Sequence, residues 1–261
     1  MPRPARPGLR LALALVALVA GCASTGLAPD GRLRTAINLG NPALAKRSAG
    51  GEVSGVTIDL GRTLAQRLGA EFVPVLYPNA GALVEGAKSG AWDIAFAAID
   101  PARGDLLQFT APYMEVGNTL IVRSSWPIRA LAEADRPGVR IGVGTKNAAH
   151  LYLSRNLKQA ELIDIPDTLD AAVELLQSGK AELYAGNNER LLALRDRLGD
   201  YRLLEGRYYA VQHAMAVPRG NDAALAYAAA FVEELKASGA IAKAIERHGL
   251  RGVDVAPRAK Q

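Results

Sequence analysis

One cysteine in 261 residues leaves no intrachain disulfide possible. Aromatic residues are scarce, at 5%. The lysines and arginines do not cluster with them into a basic stripe, so no nucleic-acid-binding face is expected. The histidines, His150, His213 and His248, are scattered, with no HxxxH step and no carboxylate at metal-ligand spacing. A glycine loop of the P-loop type is missing, and the serines lack a nucleophile-elbow context. No metal and no cofactor is therefore expected. Beyond the first 21 residues no apolar run reaches the length needed to cross a bilayer.

What is present begins with the N-terminus. The formal charge is +5, but Arg3, Arg6 and Arg10 lie within the first 21 residues, which hold no acid, so the remainder carries +2. MPRPARPGLR is basic and proline-rich, and LALALVALVA is an unbroken apolar run over residues 11–20. Its length suits the core of a signal peptide rather than a permanent span. Val19-Ala20-Gly21-Cys22 resembles a bacterial lipobox, in which small residues precede a cysteine that becomes the lipid-bearing N-terminus. Residues 1–21 are thus expected to be a lipoprotein signal, Cys22 the lipidation site, and 22–30 a flexible tether.

The rest of the chain alternates. LRTAIN (33–38) reads as a strand, and VTIDLGRTLAQRLG (56–69) as a helix with Val56, Leu60, Leu64 and Leu68 on one face. EFVPVLY (71–77), a short helix in AGALVEGAKSG and a buried strand in WDIAFAA (92–98) follow. A second set comprises strands at VRIGVG (139–144), ELIDI (161–165) and AELYAG (181–186), separated by helices. One of these has Thr168 as N-cap and Gly179 past its end. A returning strand, HAMAVPRG, and two helices close the chain. This order predicts an α/β fold in two lobes with largely parallel sheets.

The segments GEVSGVTIDLGRTLAQRLGAEFVPV, LVEGAKSGAWDIAFAAI, ARGDLLQFTAPYMEVGNTLIV, VRIGVGTKNAAHLYL and AVQHAMAVPRGNDAL, in this order over residues 31–250, resemble the type 2 periplasmic solute-binding proteins. Specifically, they are similar to the amino-acid receptors of ABC importers. Val56 stands where that family usually has Phe. The resemblance implies two Rossmann-like lobes with mixed sheets, 31–112 plus 213–261 and 118–207. Crossing hinge strands near 113–117 and 208–212 would join them, with the solute in the cleft between. It implies a monomer that hands a small carboxylate-bearing or amino-acid-like solute to an ABC permease, anchored to a membrane through Cys22.

By the same resemblance Arg103 grips the ligand carboxylate, which suits the planar donor fork of a guanidinium. Ala98 and Asp100 precede it in AIDPAR, a step shorter than the family's, with a carboxylate in place of a hydroxyl. Asp100 has three open roles: accepting from a ligand ammonium, pairing with Arg103, or capping the turn at Pro101. If it points away from the cleft, an acid without an ammonium is the expected solute. Asn187 stands where the family commonly has the Asp that holds the α-ammonium, and it also suits an N-cap. Thr145, Lys146 and Asn147 form a loop whose N–H groups suit an anion. Asn38 and Asn41 follow the first strand, where the family often has an acid and an aromatic. Tyr113 and Glu115 read as structural, and Trp92 as core or rim. Two other readings stay open: a dehydratase on the same fold acting on prephenate-like acids, and a ligand sensor for a separate receptor.

Overall fold

The computed structural model describes residues 25–259. The expected signal peptide, residues 1–21, and the expected lipidation site Cys22 lie outside them. In chain order the strands and helices are β1 (Arg32–Asn38), β2 (Lys46–Arg47), β3 (Val53–Ser54), α1 (Val56–Leu68), β4 (Glu71–Tyr77), α2 (Ala80–Glu85), β5 (Ile94–Ala98), β6 (Leu107–Arg123), β7 (Arg140–Gly144) and α3 (Ala148–Asn156). They continue with β8 (Glu161–Ile165), α4 (Leu169–Gln177), β9 (Leu183–Asn187), α5 (Asn188–Leu198), β10 (Tyr201–Leu203), β11 (Tyr209–Pro218), α6 (Asp222–Ala237), α7 (Ala240–Arg247) and β12 (Val253–Val255).

One mixed sheet runs β4-β1-β5-β11-β6-β9-β7-β8, with β10 and β12 also paired to β6. At one end β4, β1 and β5 are mutually parallel. At the other end β9, β7 and β8 are mutually parallel. Between them β6 and β11 run antiparallel to each other and to their neighbours β9 and β5. The spans expected to cross between lobes pair directly, Val211 with Val116 and Gln212 with Glu115. The β6–β11 register shifts next to His213, and Pro112 sits opposite Ala214 at the irregularity. A proline cannot donate to the ladder, so a break in pairing is where β6 tolerates one.

Apolar packing separates along the same line. Leu33, Leu60, Leu64, Phe96, Tyr113, Met114, Phe231 and Val232 form one cluster around α1, α6 and α7. Phe96 meets Tyr113 edge to face at 5.6 Å. Ile121, Leu175, Tyr184 and Leu191 pack in the other half of the molecule. Trp92 is buried and its indole N–H donates to the Leu83 carbonyl at 3.1 Å, so it is a core residue. Glu115 accepts from Gln212 at 3.2 Å, a link between the two central strands.

The elements match the expected ones closely, with two differences. The helix expected over 80–90 ends at Glu85 and tightens into a 3₁₀ turn through Gly86–Ser89. Residues 25–30, read from composition as part of a flexible tether, are packed: Leu27 is buried in the first cluster, and Asn221 donates to the Gly26 carbonyl at 2.9 Å. One leucine with a core to enter outweighs its polar and glycine neighbours.

Gly55, which opens α1, has φ 143° and ψ 170°, a region open essentially to glycine alone. A Cβ there would lie 2.4 Å from the Leu44 carbonyl oxygen. Gly55→Ala is expected to lower unfolding stability by at least about 1–3 kcal/mol in urea melts, with the m-value unchanged.

Candidate functional site

The parallel strands deliver their carboxyl ends to one place, as α/β sheets do where ligands bind. Asn38 ends β1, Ala98 ends β5, Gly144 ends β7 and Asn187 ends β9. Loops and helix starts after these strands line a cleft with about 580 Å³ of unfilled space, part of it open to solvent. Its walls include Asn38, Asn41, Ala98, Arg103, Asn147 and Asn187, six of the residues singled out from the sequence. Asp167, Arg190 and His213 also face it.

Arg103 is the most deeply held charge. It is 4% exposed, and its Nη1 donates to the Ala98 carbonyl at 2.9 Å and its Nη2 to the Lys146 carbonyl at 3.4 Å. Lys146 reaches it from a left-handed backbone, φ 61°. Burial pulls the Arg103 guanidinium below its ordinary pKa range, while the charges of Asp100 and Asp167 act against that pull. A buried cation whose direct hydrogen bonds go to neutral carbonyls is poorly compensated, and an incoming carboxylate supplies what it lacks.

A relay of amides crosses the cleft from the central strands. His213 Nδ1 lies 3.3 Å from the Val211 carbonyl, which only accepts, so the ring carries its proton there. Its Nε2 then accepts from Asn41 Nδ2 at 3.5 Å. Asn41 Oδ1 accepts from Asn187 Nδ2 at 2.9 Å, and Asn187 Oδ1 accepts from the Arg190 N–H at 2.9 Å. Asn187 thus caps α5, as expected, and ties β9 to the loop after β1 with the same side chain.

Two charged residues of the site were not foreseen. Asp167 is 7% exposed; its Oδ1 accepts from Asn147 at 3.0 Å and lies 3.4 Å from Arg190 Nη2. Its Oδ2 receives no hydrogen bond among the described residues. Arg190, 6% exposed, also donates through Nη2 to the Gly40 carbonyl. Asp167 directly precedes the Thr168 cap of α4, and Arg190 stands in the first turn of α5. Nothing local in PDTLD or NNER signals that either is enclosed.

Two expectations are corrected. Of the three roles open to Asp100, the cleft contact and the Arg103 pair are not found and the cap is: its Oδ1 accepts from the Ala102 N–H at 2.8 Å, while its Oδ2 accepts from Arg155 at 2.6 Å. It pairs with Arg155 of α3 rather than with Arg103. Burial alone would raise the Asp100 carboxyl, but the hydrogen bonds and charge of Arg155 hold it below its ordinary range. Thr145 is exposed, and its hydroxyl donates to the Ile165 carbonyl at 2.9 Å. The N–H groups of that loop are spent internally, Thr145 on Ile165, Lys146 on His150 and Asn147 on Gly144. Those three N–H groups are therefore not free to meet an anion.

Comparison with known proteins gives this geometry a setting. Residues 33–251 match the model of the bacterial extracellular solute-binding proteins, family 3. Cyclohexadienyl dehydratase of Pseudomonas aeruginosa is 29% identical over 160 residues, 59% of this chain and 58% of that protein. The chain therefore spans under three-fifths of the length of that curated relative. Among solved structures, a solute receptor for L-cysteine of Neisseria gonorrhoeae superposes with a TM-score of 0.73 at 22% identity, over 84% of this chain and 90% of the receptor. An ancestral amino acid-binding protein, a precursor of cyclohexadienyl dehydratase, superposes at 0.70 with 21% identity, over 84% and 95%. At these identities the likeness shows the fold, that of type 2 periplasmic binding proteins.

Burial, aided by the nearby Arg103 charge, pushes the His213 imidazole down to about 4. In the unfolded chain it titrates near 6.5. Between these values the unfolded state binds the extra proton, so stability falls as pH falls from 6.5 to 4. The limiting slope is about 1.4 kcal/mol per pH unit. Urea midpoints measured across this window are expected to follow that slope, and to flatten in His213→Gln.

Proposed function

Because the chain belongs to the bacterial extracellular solute-binding proteins of family 3, we propose that it is the receptor of an ABC importer and captures an amino-acid-like solute in this cleft. The observation that carries the reading is Arg103: buried, desolvated and bonded only to backbone carbonyls, on the wall of the cleft. It takes the α-carboxylate. The absence of a carboxylate at position 187 is made good by Asp167, whose second oxygen is open to an ammonium from the neighbouring strand end. An acid without an ammonium, expected if Asp100 turned away, is therefore not the better reading.

In this proposal residues 31–112 with 213–261 form one lobe and 118–207 the other, and the spans 113–117 and 208–212 are the hinge. Contacts between the two sets then act as latches of the closed state. Arg155 meets Asp100 at 2.6 Å, Asn187 meets Asn41 at 2.9 Å, and Lys46 meets Glu189 at 2.9 Å. Closure removes water from the cleft and strengthens each polar contact inside. The protein acts outside the cytoplasm as a monomer, tethered by lipid on Cys22, and delivers its solute to a membrane permease without chemical change.

A thermal-shift screen of the purified chain against amino acids and simple carboxylates tests this. Ligand at about a hundredfold above Kd is expected to add about 2.7 kcal/mol of stability. Arg103→Ala is expected to weaken binding by at least about thirtyfold, the scale of truncating one partner of a buried charge pair. No stabilisation by any carboxylate, or unchanged binding in Arg103→Ala, sinks the reading. Turnover of prephenate or arogenate would favour the dehydratase instead.

A further inference from the structure

Arg190 has more donors than the protein uses. Its Nη2 serves the Gly40 carbonyl and lies near Asp167, but its Nη1 is enclosed with no carboxylate acceptor. The whole residue is 6% exposed and forms part of the cleft wall. A guanidinium offers five N–H donors, and burying some of them unpaired is costly, more so for a charged group than a neutral one. The buried Tyr184 hydroxyl is a neutral hydrogen-bonding neighbour of Arg190, and burial pushes that phenol up to about 12, so it supplies no counter-charge.

The charges of the cleft are then easily counted. Arg103 and Arg190 are cations and Asp167 is the one carboxylate on the wall. His213 is neutral, and Asp100 is spent on Arg155. The enclosed charge is +1. A neutral amino acid, bringing one carboxylate and one ammonium, leaves that charge uncompensated in a water-poor space. A basic amino acid raises it. A dicarboxylate without an amine overcompensates and leaves Asp167 Oδ2 unpaired. Two carboxylates and one ammonium match two guanidinia and one carboxylate group for group.

Building on the receptor reading, we propose that the solute is an acidic amino acid, and that Arg190 sets this specificity through the charge it adds to the cleft wall, which the side-chain carboxylate of the solute balances. Arg103 holds the α-carboxylate and Asp167 the ammonium.

Acid and amide pairs of equal shape test it. Titration calorimetry of the full mature chain with glutamate against glutamine, and aspartate against asparagine, is expected to favour the acid in at least one pair by about tenfold or more, or 1.4 kcal/mol. Arg190→Gln is expected to bring that acid and its amide within about threefold of each other, chiefly by weakening the acid. The wild-type comparison stands even if the variant fails to fold. Amides that bind as tightly as their acids overturn the proposal, as does an acid preference that survives Arg190→Gln. Binding of other amino acids with none of these four overturns it and leaves the receptor reading intact. No binding of any amino acid or carboxylate removes both.

Discussion

The antiparallel pair β6–β11 is the constraint on which the rest of the structure depends. These two strands are shared by both halves of the sheet: β11 also pairs β5 on one side, and β6 also pairs β9 on the other. Each parallel half carries its own helices and apolar clusters, and the central pair joins them together with contacts such as Asn187–Asn41 and Lys46–Glu189. The bulge next to His213 falls where β11 passes the cleft. The buried His213 imidazole beside that irregularity meets the Asn41 amide, so the joint and the binding wall share a residue.

Desolvation organises the cleft. Arg103 and Arg190 are each held by backbone carbonyls from the opposite half, Lys146 and Gly40 respectively. Neutral carbonyls orient a guanidinium without cancelling its charge. The positive potential is therefore retained for whatever enters, while Asp167 keeps it from exceeding one unit. Placing the compensating charges of Asp100 and Arg155 on each other, outside the wall, has the same effect: the clamp is built without drawing on the groups that face the solute.

How much of this was legible follows the range of the interactions. The alternation in EFVPVLY and the spacing of Val56, Leu60, Leu64 and Leu68 are local, and β4 and α1 fall where these patterns place them. Caps are local too, so Thr168 and Asn187 were readable as helix starts. Arg103 was reached only because flanking segments resemble a family. The enclosure of Arg190 depends on Gly40, 150 residues away in sequence, and the fate of Asp100 on Arg155, 55 residues away. No pattern within a window of a few residues carries such information. The segment around Leu27 failed for the same reason, since the Gly26 carbonyl beside it is held by Asn221, 195 residues away.

The packing of Leu27 also shortens the leash. Leu27 is only five steps along the chain from Cys22, and an extended chain advances at most about 3.6 Å per step. With lipid on Cys22, the folded body stays within about 18 Å of the bilayer surface. Such a receptor does not diffuse through the surrounding compartment in search of a permease. In the proposed lipid-anchored form it would move with the membrane, its orientations limited by the face on which Leu27 enters the core, and its encounter with a permease would be largely two-dimensional.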